Sequence, residues 1–210
     1  MRGHHATRHF LHPALRLPAA LLVLVLILLG VRALLTRPSR EPGHPPVPEW
    51  VEEDLLPVSE YSRPGIPLDA VNGVVVHYTG NPGTTARQNR SYFSGLALSR
   101  ETAASSNFII GLDGEILLTV PLDEVAYCSN SRNSDTLSIE VCHPDDTGKF
   151  TDASYASLLK LVQWLCDTYH LDRSQVLRHY DIIGKDCPRY FVQNPDAWEG
   201  FLDQLTFGTH

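Results

Sequence analysis

In the segment RHYDIIGKDCP, residues 178–188, the imidazole of His179 and the thiol of Cys187 stand eight residues apart. Imidazole nitrogen and thiolate sulfur are both good zinc donors. A single catalytic zinc takes three protein ligands and keeps a fourth position for water or substrate, so this pair needs one distant partner. His77, which ends the run Val74-Val75-Val76, is a histidine at a predicted strand end and meets that need. The chemistry of such a centre is hydrolysis, because a bound metal polarises a carbonyl and acidifies water. Each segment alone is a weak signal: an isolated histidine is more often a polar surface group or a satisfied core group.

The elements that must hold these residues are legible from hydrophobic period and turn chemistry. Val74-Val75-Val76 has the β-branched character of a buried strand. The turn cluster Gly80-Asn81-Pro82-Gly83 follows, and Thr84 or Thr85 can cap a helix running toward Leu98. Apolar runs at Phe108-Ile109-Ile110 and residues 115–120 flank an Asp113-Gly114 turn, which predicts an antiparallel hairpin. Residues 136–142 read as another strand. From Asp152 to His170, Tyr155, Leu158, Leu159, Val162, Leu165, Cys166 and Tyr169 recur at helical steps, with Thr151 as the cap. Strands mixed with helices predict an α/β fold, a single domain over residues 71–206 with a central mixed sheet flanked by helices.

Charge divides the chain. Of 17 Lys and Arg, six Arg lie in residues 1–40, which hold no acid; the remaining 11 bases face all 24 acids, a net charge of -13. That balance excludes nucleic acid as a partner, since phosphate binding needs clustered bases. Residues 1–16 form a basic tail whose His4, His5, His9 and His12 have no regular element to fix them. Residues 17–36 contain the run LPAALLVLVLILLGVRALL, long enough to cross the hydrocarbon core of a membrane as an anchor helix, with Arg32 near enough to its end to reach the interface. Arg2, Arg8 and Arg16 place the tail in the cytoplasm and the acidic domain outside, tethered to the membrane by a single pass. A cleaved signal peptide is the alternative and would make the protein secreted. Residues 37–70 carry eight prolines between Pro38 and Pro67 and read as an extended linker.

The four cysteines are too sparse for a disulfide-stapled scaffold. Cys166 lies in the apolar stripe of its helix, and Cys142 reads as a small packing residue that shares a strand face with Glu140. Outside the cell Cys128 and Cys142 could pair, subject to a geometry that sequence does not specify.

Taken together, the stretches VVVHYTGNPGTTARQNRSYF, SSNFIIGLDGEI, NSDTLSIEVCHPD, GKFTDASYASLLKLVQWLC and VLRHYDIIGKDCP resemble the zinc-dependent N-acetylmuramoyl-L-alanine amidases of the type 2 family, which also includes phage endolysins and peptidoglycan recognition proteins. The resemblance runs from about Val74 to Phe201. It implies that His77, His179 and Cys187 bind Zn2+, that Lys185 assists catalysis and that Glu140 lies beside the reacting centre as its acid and base. The implied substrate is peptidoglycan or its muropeptides, cut at the amide between the lactyl group of N-acetylmuramic acid and L-alanine. One position departs from the family: Asn107 stands where a histidine is common, and it is expected to contact substrate without shuttling a proton as imidazole can. Two other readings remain. A receptor would bind peptidoglycan without cutting it, a reading that the presence of Cys187 disfavours; an enzyme with the same zinc chemistry could act on a different amide.

Overall fold

The sheet is organised around two five-residue strands whose side chains alternate between two packed faces. In the computed structural model, which describes Ile27 and residues 45–208, β2 (Val74–Tyr78) lies parallel to β5 (Leu137–Val141), with His77 opposite Glu140. β1 (Glu52–Glu53), β3 (Phe108–Ile110), β4 (Ile116–Leu118) and β6 (Val176–Arg178) complete a six-stranded sheet in the order β1-β4-β3-β5-β2-β6. All its neighbours are parallel except the β3–β4 hairpin, so the sheet is mixed. The chain divides into two compact units, Met1–Glu41 and Pro42–His210. Of the first, only Ile27 is described, helical and exposed, so the apolar run of residues 17–36 otherwise lies outside the described residues, as does the basic tail. Among the described residues no helix is long and apolar enough to cross a membrane.

Alternation along β2 and β5 decides what each face carries. Val74, Val76, Leu137, Ile139 and Val141 join the main core, with Leu158, Leu161, Val162 and Leu165 of α2 (Asp152–Tyr169) and Trp198, Phe201 and Leu202 of α5 (Pro195–Leu202). Full burial of each such aliphatic or aromatic side chain contributes about 1.5–3 kcal/mol. The opposite face packs on α1 (Ala86–Ser99), whose Ala86, Phe93 and Leu96 meet Ile109, Leu117 and Cys142. His77 and Glu140 belong to this second face, at the carboxyl ends of adjacent parallel strands, where open α/β sheets place their ligands.

The helices start where the sequence places caps. Thr85 accepts from Gln88 N and Gln88 reciprocates, a full capping box; Thr151 accepts from Ser154 N. The linker expected over residues 37–70 differs from the structure from Val47 onward, where the chain packs on the domain. Val51 and Leu56 are buried, Trp50, Leu55 and Leu68 pack on the core, and β1 extends the sheet beside β4. Proline spacing there reflects extended backbone lying on the domain, held by Arg63, whose guanidinium binds the Glu124 carboxylate at 2.7 and 2.8 Å and the Leu56 carbonyl at 3.0 Å. All four cysteines are free: Cys142 lies in the α1 core beside Asn89, and Cys166 is buried in α2.

Candidate metal centre

The eight-residue spacing of His179 and Cys187 works because the chain between them folds back on itself. α3 (His179–Ile183) begins directly after β6 and ends at Gly184, whose left-handed φ of 71° reverses the chain. Tyr180 N then donates to the Cys187 carbonyl at 2.9 Å, which returns the thiol to the side of His179. Beyond it, α4 (Arg189–Gln193) inserts Phe191 among Phe150, Trp198 and Phe201, with ring centroids 5.3–5.6 Å apart. That aromatic cluster anchors the segment carrying Cys187.

His77, His179 and Cys187 are all buried and offer one ligand atom each within 4.8 Å of the others. Cys187 Sγ lies 3.7 Å from His77 Nδ1. Two such ligands on one tetrahedral zinc stand about 3.6 Å apart, from ordinary zinc–nitrogen and zinc–sulfur bond lengths. His179 Nδ1 is buried with no hydrogen-bond partner, an orphan that a cation would satisfy. The donor set and its geometry therefore fit zinc. Burial, then the charges of His179 and Lys185, hold the His77 pKa well below its ordinary value; burial, then Lys185, brings His179 down to about 4. Both imidazoles are neutral at pH 7, as metal ligands must be. For the protein groups alone, burial pushes the Cys187 thiol up to about 12, so its thiolate requires a cation.

These residues floor a cleft of about 260 Å³, lined also by Tyr78, Phe93, Ser105, Tyr127, Cys128, Glu140 and Lys185. A larger pocket of about 350 Å³, between α2, α4 and α5, contains none of the three donors. Glu140 is half-buried, with its Oε1 3.5 Å from the Cys128 thiol and its Oε2 shielded from solvent without a partner. Burial raises its pKa to about 7, against the opposing pull of the Cys128 hydrogen bond and Lys185. A carboxyl poised near neutrality can take and return a proton. Lys185 is exposed at the cleft wall.

Asn107, expected to contact substrate, lies elsewhere. It is fully buried, its Oδ1 accepts from Ser138 N and Oγ at 3.0 and 3.2 Å, and its Nδ2 lies 3.2–3.4 Å from the carbonyls of Val120, Pro121 and Glu124. Every polar atom of its side chain is engaged in joining β5 to the chain after β4, which corrects the substrate-binding expectation. Conversely, two neighbours of the site were not singled out from sequence. Ser129 Oγ lies 3.3 Å from His77 Nε2, and Asn130 Oδ1 lies 2.6 Å from His179 Nε2. The one local signal was an Asn in a loop, a residue type that tolerates the left-handed backbone found at Asn130, φ 51°.

Residues 67–190 match the sequence profile of a family described as N-acetylmuramoyl-L-alanine amidase. A probable N-acetylmuramoyl-L-alanine amidase of Bacillus licheniformis is 31% identical over 167 residues, covering 74% of this chain and 47% of that protein. The N-acetylmuramoyl-L-alanine amidase BlyA of Bacillus subtilis (strain 168) is 30% identical over 171 residues, covering 71% and 45%. The chain thus spans about half the length of the curated relatives it matches. Among solved structures, the catalytic domain of XlyA superposes with a TM-score of 0.63 at 26% identity, covering 74% of this chain and 99% of that one.

Proposed function

Because the chain belongs to the N-acetylmuramoyl-L-alanine amidase family, we propose that it hydrolyses the amide joining the lactyl group of N-acetylmuramic acid to the L-alanine of the peptidoglycan stem. The observation that carries this reading is the convergence of His77, His179 and Cys187 in one cleft with Glu140 and Lys185. His77, His179 and Cys187 would hold the zinc. The chemistry zinc supplies when bound is Lewis acidity toward a carbonyl and toward water.

The remaining work falls to side chains of this chain. Glu140 Oε2, unpartnered, accepts the proton of the attacking water; with a pKa near 7 the same carboxyl returns it to the departing alanine nitrogen. The Lys185 ammonium, at the cleft wall, stabilises negative charge developing on the lactyl oxygen. Glu140 needs no large movement, because β5 fixes it beside His77 in register.

Location belongs to the same reading. The apolar run of residues 17–36 after an arginine-bearing tail supports a single-pass anchor with the catalytic domain outside the cytoplasm, where peptidoglycan lies; cleavage of that run would release the domain. Incubation of the purified protein with defined muropeptides, with and without chelator, tests the reaction by mass spectrometry. Free stem peptide that appears only without chelator supports it, and intact lactyl-alanine bonds in the zinc-loaded sample contradict it.

A further inference from the structure

Three consecutive side chains reach three different members of the site. Cys128 Sγ lies 3.5 Å from Glu140 Oε1, Ser129 Oγ 3.3 Å from His77 Nε2, and Asn130 Oδ1 2.6 Å from His179 Nε2. We propose that Cys128-Ser129-Asn130 is a positioning strap: Ser129 and Asn130 hold the two imidazoles with their Nδ1 atoms turned to the metal, and Cys128 aims the carboxylate of Glu140. The proposal rests on the zinc amidase reading for the identity of the metal and of the reaction.

The geometry assigns a separate task to each residue. A carboxamide oxygen only accepts, so the 2.6 Å contact places the ring hydrogen of His179 on Nε2 and its lone pair on Nδ1, the buried atom without a protein partner. Ser129, itself buried, occupies Nε2 of His77, whose Nδ1 faces Cys187. Hydrogen bonds to the ring nitrogen remote from a metal orient the ligand and fix its tautomer. Cys128 gives Glu140 the one hydrogen bond that its carboxylate receives among the described residues, which engages Oε1 and leaves Oε2 for proton transfer.

The strap's backbone is fastened accordingly. Asn133 Oδ1 accepts from both Cys128 N and Ser129 N, at 3.1 and 2.6 Å. Asn130 holds a φ of 51°, a region that glycine enters without the steric penalty a side chain brings. Glycine would therefore suit the backbone at this position, and the asparagine is explained by what its oxygen touches.

The test measures zinc affinity by competition with a chromophoric chelator, together with the visible spectrum of the Co2+-substituted protein, on the full chain. Asn130→Gly keeps the backbone and removes the acceptor; it should weaken zinc binding about 10–100-fold and change the Co2+ spectrum, whereas Asn130→Asp, which keeps an oxygen there, should bind within a few-fold of wild type. Ser129→Ala should weaken binding by less, as its contact is longer. Cys128→Ala should keep zinc affinity and KM while lowering kcat about tenfold, and Cys128→Ser should restore most of that loss. Asn130→Gly binding zinc as wild type does, Asn130→Asp binding as weakly as Asn130→Gly, or unchanged kcat in Cys128→Ala would overturn the strap. Should Asn130→Gly fail to fold, Ser129→Ala decides, and wild-type affinity in it defeats the proposal. Wild-type protein that binds no zinc would instead defeat the underlying reading, and the strap with it.

Discussion

Asn107→Ala separates a structural asparagine from a substrate contact. Truncation leaves the buried Ser138 N–H without its acceptor and three backbone carbonyls without the Nδ2 donor. An unsatisfied buried N–H costs about 1–3 kcal/mol, and each lost neutral hydrogen bond about 1 kcal/mol net, which gives a destabilisation of about 3 kcal/mol once the long, shared contacts of Nδ2 are discounted. Ordinary domains have about 5–15 kcal/mol in total, so the variant folds with a reduced margin. With a urea m-value of about 2 kcal/mol/M, the unfolding midpoint falls by about 1.5 M. Tryptophan fluorescence can follow it, since Trp50 and Trp164 pack together edge to face and Trp198 lies in the core. Asn107→Asp should be worse, because it sets an oxygen against the carbonyls of Val120, Pro121 and Glu124. Well below the transition, Asn107→Ala should hydrolyse muropeptides with KM within about threefold of wild type, because the side chain is engaged by Ser138 and backbone carbonyls and does not line the cleft where substrate would bind. An unchanged midpoint with a strongly raised KM would refute the reasoning and return Asn107 to the substrate.

Three further outcomes follow from burial and charge. Burial holds the folded pKa of His179 at about 4, so in chelated protein the stability associated with its neutral form is lost as pH falls from about 6.5 through about 4, amounting to up to about 3 kcal/mol; nitrogen NMR should show His179 neutral down to about pH 5.5, and His77, which burial holds well below its ordinary value, titrating below an unperturbed imidazole. Glu140 has the opposite sign: burial raises its folded pKa to about 7, so in the same metal-stripped protein stability falls as pH rises from about 4.5 through about 7. Glu140→Gln should therefore gain up to about 3 kcal/mol at pH 8 and almost nothing at pH 4, while losing turnover; equal gains at both pH values would contradict the burial argument. Phe191→Ala empties the ring cluster behind Cys187 and should cost about 3–5 kcal/mol in thermal or urea unfolding; a change under 1 kcal/mol would show that α4 is held by other contacts.

Long, strongly patterned elements were legible in the sequence. The β-branched run at β2, the Asp113-Gly114 hairpin, the apolar stripe of α2 and the caps Thr85 and Thr151 all depend on local chemistry and stand where that chemistry puts them. β1, β6, α3 and α4 span two to five residues each, too short for any hydrophobic period to emerge. His77, His179 and Cys187 could be paired by donor type, whereas their approach depends on the reversal at Gly184 and on Phe191. Asn107 was misjudged because its partner Ser138 is 31 residues away, and a buried carboxamide and an exposed one look alike in sequence. Ser129 and Asn130 were missed for a related reason: their significance arises only once β2 and α3 bring the two histidines to them.

The central claim is that one zinc, held by His77, His179 and Cys187, enables cleavage of the lactyl-alanine amide. The most direct measurement is bound zinc together with muropeptide cleavage in wild type and Cys187→Ser. Wild type should carry one zinc per chain and release stem peptide, and Cys187→Ser should lose both the tightly bound metal and the cleavage. Stoichiometric zinc and full cleavage in Cys187→Ser would contradict the account.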